Sequence, residues 1–143
     1  MPLLVLAGKM GHQSEPIRIL VDRDQPPVLI LEHLDDQSLE YLYTHSQFTI
    51  FPSLLEGWGL PVGESLWFGK PCLASRASSI PEVGGRYVTY FDPTSCEDIK
   101  DKIRLSLDAK CDARPPDRTA LRTWRDVAFD FLNTLQSEQK QQL

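Results

Sequence analysis

No apolar run in this sequence approaches the ~20 residues that a bilayer-spanning helix requires. The opening Leu3-Leu4-Val5-Leu6-Ala7 is too short for the core of a signal peptide, and no basic segment precedes it. Basic side chains are in the minority, 15 against 20 acidic, so the chain carries a net charge of −5. That sign argues against a sequence-independent grip on nucleic acid or anionic lipid. Cysteine is scarce and odd in number. Cys72, Cys96 and Cys111 fit no metal or redox spacing, which points to reduced thiols and a cytoplasmic location. His12, His33 and His45 are equally scattered and read as surface or turn residues rather than metal ligands. Low complexity is absent too: the 11 prolines and 8 glycines are spread along the chain, with no internal repeat.

What remains is a length of 143 residues, suited to one domain with a single core. Short apolar runs alternate with amphipathic ones. Leu3–Ala7, Val28–Leu31, Phe48–Phe51, Pro71–Ala74 and Tyr87–Phe91 read as buried strands bounded by Gly, Pro or polar residues. Helices are predicted at Ser14–Arg23, Gln37–His45 and Pro61–Phe68, the last with proline at its first position. Ser95 caps a further helix through Leu107, in which Ile99, Ile103 and Leu107 recur every four residues. Thr119–Gln136 forms the last helix. Its stripe of Trp124, Val127, Ala128, Phe131 and Leu135 reads as ordinary packing against the sheet. The organisation is α/β: residues 1–136 as one Rossmann-like domain, a parallel sheet flanked by helices, with a polar tail at 137–143.

In open parallel sheets, ligands gather at the carboxyl ends of strands beside helix N-termini. The stretch from Phe51 to Glu64 lies at such a place, with Gly57 and Gly59 in a loop and Pro61 opening a helix. The glycines admit close approach of a ligand to the backbone. The N–H groups of Leu60, Val62 and Gly63 are expected to be free at the helix start, facing an anion. Glu56 on the loop and Glu64 on the first turn could bracket a polar ligand from either end. Taken alone, the same residues could be two solvated glutamates, a glycine turn and a packing tryptophan.

Glu56 and Glu64 also spell E-x7-E, and the wording around them resembles the family-4 group of retaining GT-B glycosyltransferases. The resemblance extends over nearly the whole chain. Lys9 and Gly11 after the first strand, Leu31–Asp36 with Leu39 and Leu42-Tyr43, and Gly69–Ser75 follow the family pattern. So do Ser79–Gly85, Phe91-Asp92-Pro93 and the late Trp124. The resemblance implies the C-terminal, donor-binding half of a GT-B enzyme, a hexosyltransferase working on a glycan or glycoconjugate such as a bacterial-type surface polysaccharide. Glu56 would hold hydroxyls of the donor sugar. Amides around Gly57, Trp58, Gly59, Leu60 and Val62 would contact sugar and distal phosphate, and Glu64 would take the ribose hydroxyls. Leu34 would lie against the base, and Lys9 is the nearby cation for the diphosphate. Trp58 stands where the family more often has phenylalanine. No cofactor or metal is implied; the substrate is a nucleotide-diphosphate sugar.

The same family places an Arg-Lys loop and an acceptor-binding domain ahead of the strand that opens this chain. The expectation is therefore that this polypeptide needs an N-terminal half or a partner chain to transfer sugar, and that an uncovered apolar face promotes self-association. The alternative is a non-catalytic nucleotide-sugar-binding or docking module. A glycosidase using Glu56 and Glu64 as acid and base does not suit the architecture. Asp22-Arg23-Asp24 spells D-x-D, the start of a metal site in the other glycosyltransferase fold, but too little chain precedes it, and it reads as the polar end of a short helix.

Overall fold

Strand–helix alternation governs the backbone of the computed structural model, which describes residues 2–11, 14–24, 27–108, 115 and 117–141. His12 and Cys111 lie outside the described residues. The order is β1 (Leu4–Ala7), α1 (Glu15–Asp24), β2 (Val28–Leu31), α2 (Asp36–His45), β3 (Thr49–Phe51), α3 (Leu60–Trp67), β4 (Cys72–Ser75), α4 (Ile80–Gly84), β5 (Val88–Phe91), α5 (Cys96–Leu107) and α6 (Trp124–Gln141). All strand pairs are parallel, as the crossover helices require. The chain divides into two compact units, Met1–His45 and Ser46–Leu143.

In the first unit β1 pairs with β2 in the register Leu4↔Val28 to Ala7↔Leu31. The Gly8 amide extends the ladder to the Leu31 carbonyl at 3.0 Å. The expectation of buried strands is corrected here. Val5 and Leu6 are half-buried, Leu4 and Leu29 are exposed, and none of the described residues of this unit is fully buried. Two four-residue strands offer too small a sheet to close a core. Ile17, Ile19 and Leu20 on α1 are exposed for the same reason. Asp22 and Asp24 fall at the last turn of α1, where the sequence placed a helix end.

The second unit holds the core. Its sheet has the order β3-β4-β5, and every residue of the central β4 is buried. Cys72 and Ala74 face a cluster made by Val62 and Leu66 of α3, Ile80 of α4 and Val88, with Phe51, Val83, Tyr87, Tyr90 and Leu121 packed around it. The pleat turns Leu73 and Ser75 to the other face, where they are buried as well. Burying Leu66, Ile80 or Val62 is worth about 1.5–3 kcal/mol each. A polar seam crosses it: Thr49 Oγ1 and Ser65 Oγ lie 2.7 Å apart, and Ser65 Oγ donates to the Pro61 carbonyl at 2.9 Å.

The helix ends follow from local chemistry. α3 stops where Gly69 adopts φ 67°, with the Gly69 amide on Leu66 O (3.0 Å) and the Lys70 amide on Ser65 O (2.8 Å), the paired bonds of a Schellman motif. Ser95 caps α5 by accepting from the Asp98 amide at 3.2 Å, where the sequence put it. α4 was not foreseen; its five residues leave no periodicity to read. The last helix starts later than predicted. Asp117 accepts from the Thr119 amide at 3.1 Å and forms a 3-10 turn at Arg118–Ala120, after which Leu121 is extended and packs on the core. Thr123 and Asp126 then cap each other, the Asp126 carboxylate taking the Thr123 amide at 2.8 Å and its hydroxyl at 2.7 Å. The α6 stripe does not pack on the sheet: Trp124 is 82% exposed and Phe131 63%.

Candidate functional site

The carboxyl end of β3 passes into the loop 52–59, which is fixed from beneath by serines. Ser75, at the end of β4, donates from Oγ to the Ser53 carbonyl at 2.5 Å. Ser53 Oγ lies 2.8 Å from Glu56 Oε1 and 3.2 Å from the Leu55 carbonyl, so the Glu56 side chain is held by a hydroxyl donor. The Glu56 carbonyl in turn accepts from Ser78 Oγ at 2.6 Å and Ser79 Oγ at 3.0 Å. Glu56 is half-buried, whereas Leu54, Leu55 and Trp58 around it are exposed.

Gly59 ends the loop in the left-handed region, φ 93° and ψ 49°, and is the N-cap of α3. A side chain there would be strained by that φ, though its Cβ would make only ordinary contact with Ile80 and Phe51. Leu60 opens the helix with an exposed side chain, and Pro61 occupies its first turn, where a missing N–H costs nothing. The expectation for Val62 is corrected. Its amide donates to the Gly59 carbonyl at 3.0 Å and its side chain is fully buried, so it supports the loop from the core instead of offering a free N–H. Glu64 is half-buried on the following turn of the same helix. Gly57 has open space around its backbone. Glu56, Gly57, Trp58, Gly59, Leu60 and Glu64 therefore belong to one continuous loop and helix start.

Lys9 and Leu34 belong to the first unit. Lys9 is exposed just beyond β1, after Gly8 at φ 132°. Leu34 is half-buried in the turn between β2 and α2, after His33 at φ 57°. Because β1 and β2 are parallel, both lie past the carboxyl ends of their strands, and the Met10 amide joins the two turns by donating to Glu32 Oε1 at 2.8 Å. Asp35 closes the Leu34 turn by accepting from the Ser38 amide at 2.8 Å; hydrogen bonds from Ser38 hold its carboxyl below the usual range.

Ser53, Ser78 and Ser79 were not assigned roles from the sequence. Three serines among many carry no periodic signal; what marks them is that they meet one carbonyl and one carboxylate in space. A shallow hollow of about 410 Å³ also opens past β4 and β5, lined by Arg76, Ala77, Asp92, Pro93 and Asp98, and none of the candidate residues lines it. Among the described residues no group of three His, Cys, Asp or Glu side chains is placed to hold a metal, and no helix is long and apolar enough to cross a membrane.

Parallel strands, crossover helices and a glycine loop feeding a helix start, with a glutamate before and after, define a Rossmann-like half of GT-B type. Comparison with known proteins agrees. Residues 3–121 match the family described as glycosyl transferases group 1, and the chain belongs to that family. It is 33% identical over 106 residues to the O-antigen chain mannosyltransferase B of Escherichia coli, covering 73% of this chain and 28% of that protein. A serotype-specific mannosyltransferase WbdA of Escherichia coli is 33% identical over 108 residues, 73% of this chain and 13% of its own length. The MMP alpha-(1->4)-mannosyltransferase of Mycolicibacterium hassiacum is 42% identical over 52 residues, 36% of this chain and 13% of that protein. The chain thus spans under a third of the length of the relatives it matches.

Proposed function

We propose that this chain is the nucleotide-sugar-binding half of a retaining hexosyltransferase, and that the sugar is mannose. The carrying observation is the Glu56 loop: a half-buried carboxylate held by Ser53, followed directly by Gly57, Gly59 and the α3 start. The relatives named as mannosyltransferases support the choice of sugar. Glu56 accepts hydrogen bonds from donor-sugar hydroxyls. Amides around Gly57 to Leu60 face the sugar and the distal phosphate, where charge develops as the glycosyl bond breaks. Glu64 accepts from the ribose hydroxyls. In this reading the transfer is metal-independent, and the leaving phosphate takes the acceptor's proton.

The acceptor, a glycan or glycoconjugate of a surface polysaccharide, is bound by a second half or partner chain, and the reaction belongs in the cytoplasm. Exposed Trp124 and Phe131 on α6 support self-association with a second copy when that half is absent. Titration with UDP, GDP and ADP sugars, followed by saturation-transfer NMR, tests the reading. One nucleotide should bind, and Glu64→Ala should weaken it. No binding of any at millimolar concentration would refute the donor role and leave a docking module.

A further inference from the structure

We propose that Ser78 and Ser79 are positioning residues of the donor site, holding Glu56 through its backbone so that its carboxylate and the amides after it meet the sugar. The proposal rests on the donor reading above. Two hydroxyls converge on one oxygen, the Glu56 carbonyl, at 2.6 and 3.0 Å. Both come from the turn that opens α4, far from Glu56 in sequence.

Ser78 departs from what local structure alone would ask of it, and Ser79 is free to reach outward. Ser79 precedes α4 with a helical backbone, φ −78° and ψ −6°, and Pro81 has no N–H to offer, so its side chain makes no capping bond and reaches the loop. Ser78 sits at φ 56°, a left-handed conformation that side-chain-bearing residues other than Asn and Asp adopt rarely. A turn without such a contact would more readily take glycine or asparagine at that angle. Instead an unfavourable backbone angle coincides with a hydroxyl 2.6 Å from the loop that carries the candidate catalytic glutamate. Ser53 holds the Glu56 carboxylate and the Ser78–Ser79 pair holds its carbonyl, so the residue is fixed at both ends before any ligand arrives. Such preorganisation acts on the sugar end of the donor and leaves the ribose end, at Glu64, untouched.

The test compares binding of each nucleotide diphosphate with that of its hexose conjugate, by calorimetry on the 143-residue chain, in wild type and in Ser78→Ala/Ser79→Ala. The expected result is nucleotide-diphosphate affinity within about twofold of wild type, while the ratio of the two dissociation constants moves about five- to tenfold against the sugar conjugate. Ser79→Thr, which keeps a hydroxyl, should restore most of the ratio. Ser78→Gly relieves the backbone angle and removes the hydroxyl, so its melting temperature should hold or rise while the sugar ratio still falls. A double variant with an unchanged ratio overturns the proposal. So does loss of both ligands in step with a lower melting temperature, which would make the serines structural only. Wild type that binds no nucleotide refutes the donor reading and this proposal with it. Wild type that binds while the ratio stays constant refutes this proposal alone.

Discussion

Ser79 donates its hydroxyl to the carbonyl of Glu56, 3.0 Å away, although it stands at the N-terminus of its own helix. The loop after β3 and the turn after β4 are thereby joined at the carboxyl edge of the sheet, where Ser75 adds a third link by donating to the Ser53 carbonyl. The glutamate expected to meet the sugar is thus supported by the neighbouring strand's connection as well as its own.

The two glutamates should be separable by ligand. Glu56→Gln keeps an oxygen beside Ser53 but removes the charge, so nucleotide-sugar affinity should fall about tenfold, or about 1.4 kcal/mol, with the nucleotide diphosphate little affected. Glu64→Ala should lower both by about the same factor. Calorimetric titration of the two ligands against the two variants checks this, and equal losses in all four combinations would contradict the assignment.

Glycine substitutions should rank by cause. Gly59→Ala makes only ordinary contact with Ile80 and Phe51 but must hold φ 93°, at a cost of about 1–2 kcal/mol. Gly84→Ala would bring a Cβ to 2.5 Å from Tyr90 Oη and 2.7 Å from Val88 Cγ2, a clash with the core strand that should cost about 1–3 kcal/mol and shift β5. Gly57→Ala meets neither obstacle and should be close to neutral for stability. Urea denaturation of the three variants orders them.

Stability should be concentrated in the second unit's core. Leu66→Ala removes a side chain exposed by only 1% and should cost about 2–5 kcal/mol. Phe131→Ser, on a residue 63% exposed, should stay within about 0.5 kcal/mol. Thiol chemistry reports the same contrast: Cys72 is buried, and burial pushes its thiol up, while Cys96 is exposed. Iodoacetamide on native protein followed by peptide mapping should label Cys96 well before Cys72.

The strands were legible because their apolar runs are short and sharply bounded: β2 falls at Val28–Leu31 as read, and the others shift by a single residue at one end or both. Ser95 announced α5 through its cap. The boundary of α6 was missed because Thr119 and Thr123 both precede apolar residues, and only Asp126, three after Thr123, completes a reciprocal cap. Burial was legible in β4, whose sheet has three strands and a helix layer over it, and misread in β1, an equally apolar run in a sheet of two strands. At the site, sequence spacing located the glutamates and glycines on one loop. It could not reveal the serines, because their role depends on two connections meeting at the sheet edge, nor that the Val62 amide is spent on Gly59.

Acid should weaken the fold through three exposed aspartates, each tied to a local cap or turn. Hydrogen bonds from Thr94 hold the Asp92 carboxyl below its usual range, Ser38 does so for Asp35, and Thr123 for Asp126. A carboxyl depressed in the folded state leaves the unfolded chain binding more protons through that window, so stability rises with pH there. The contribution is complete above the ordinary aspartate value of about pH 4 and is lost as pH falls through the lowered folded values. Thermal melts from pH 7 down to pH 3 should therefore be flat to about pH 5 and then decline. Thr94→Val and Thr123→Val, which remove hydroxyl donors while leaving the amides, should each reduce the decline. A melting temperature that kept the full acid dependence in the double variant would show that other carboxylates govern it.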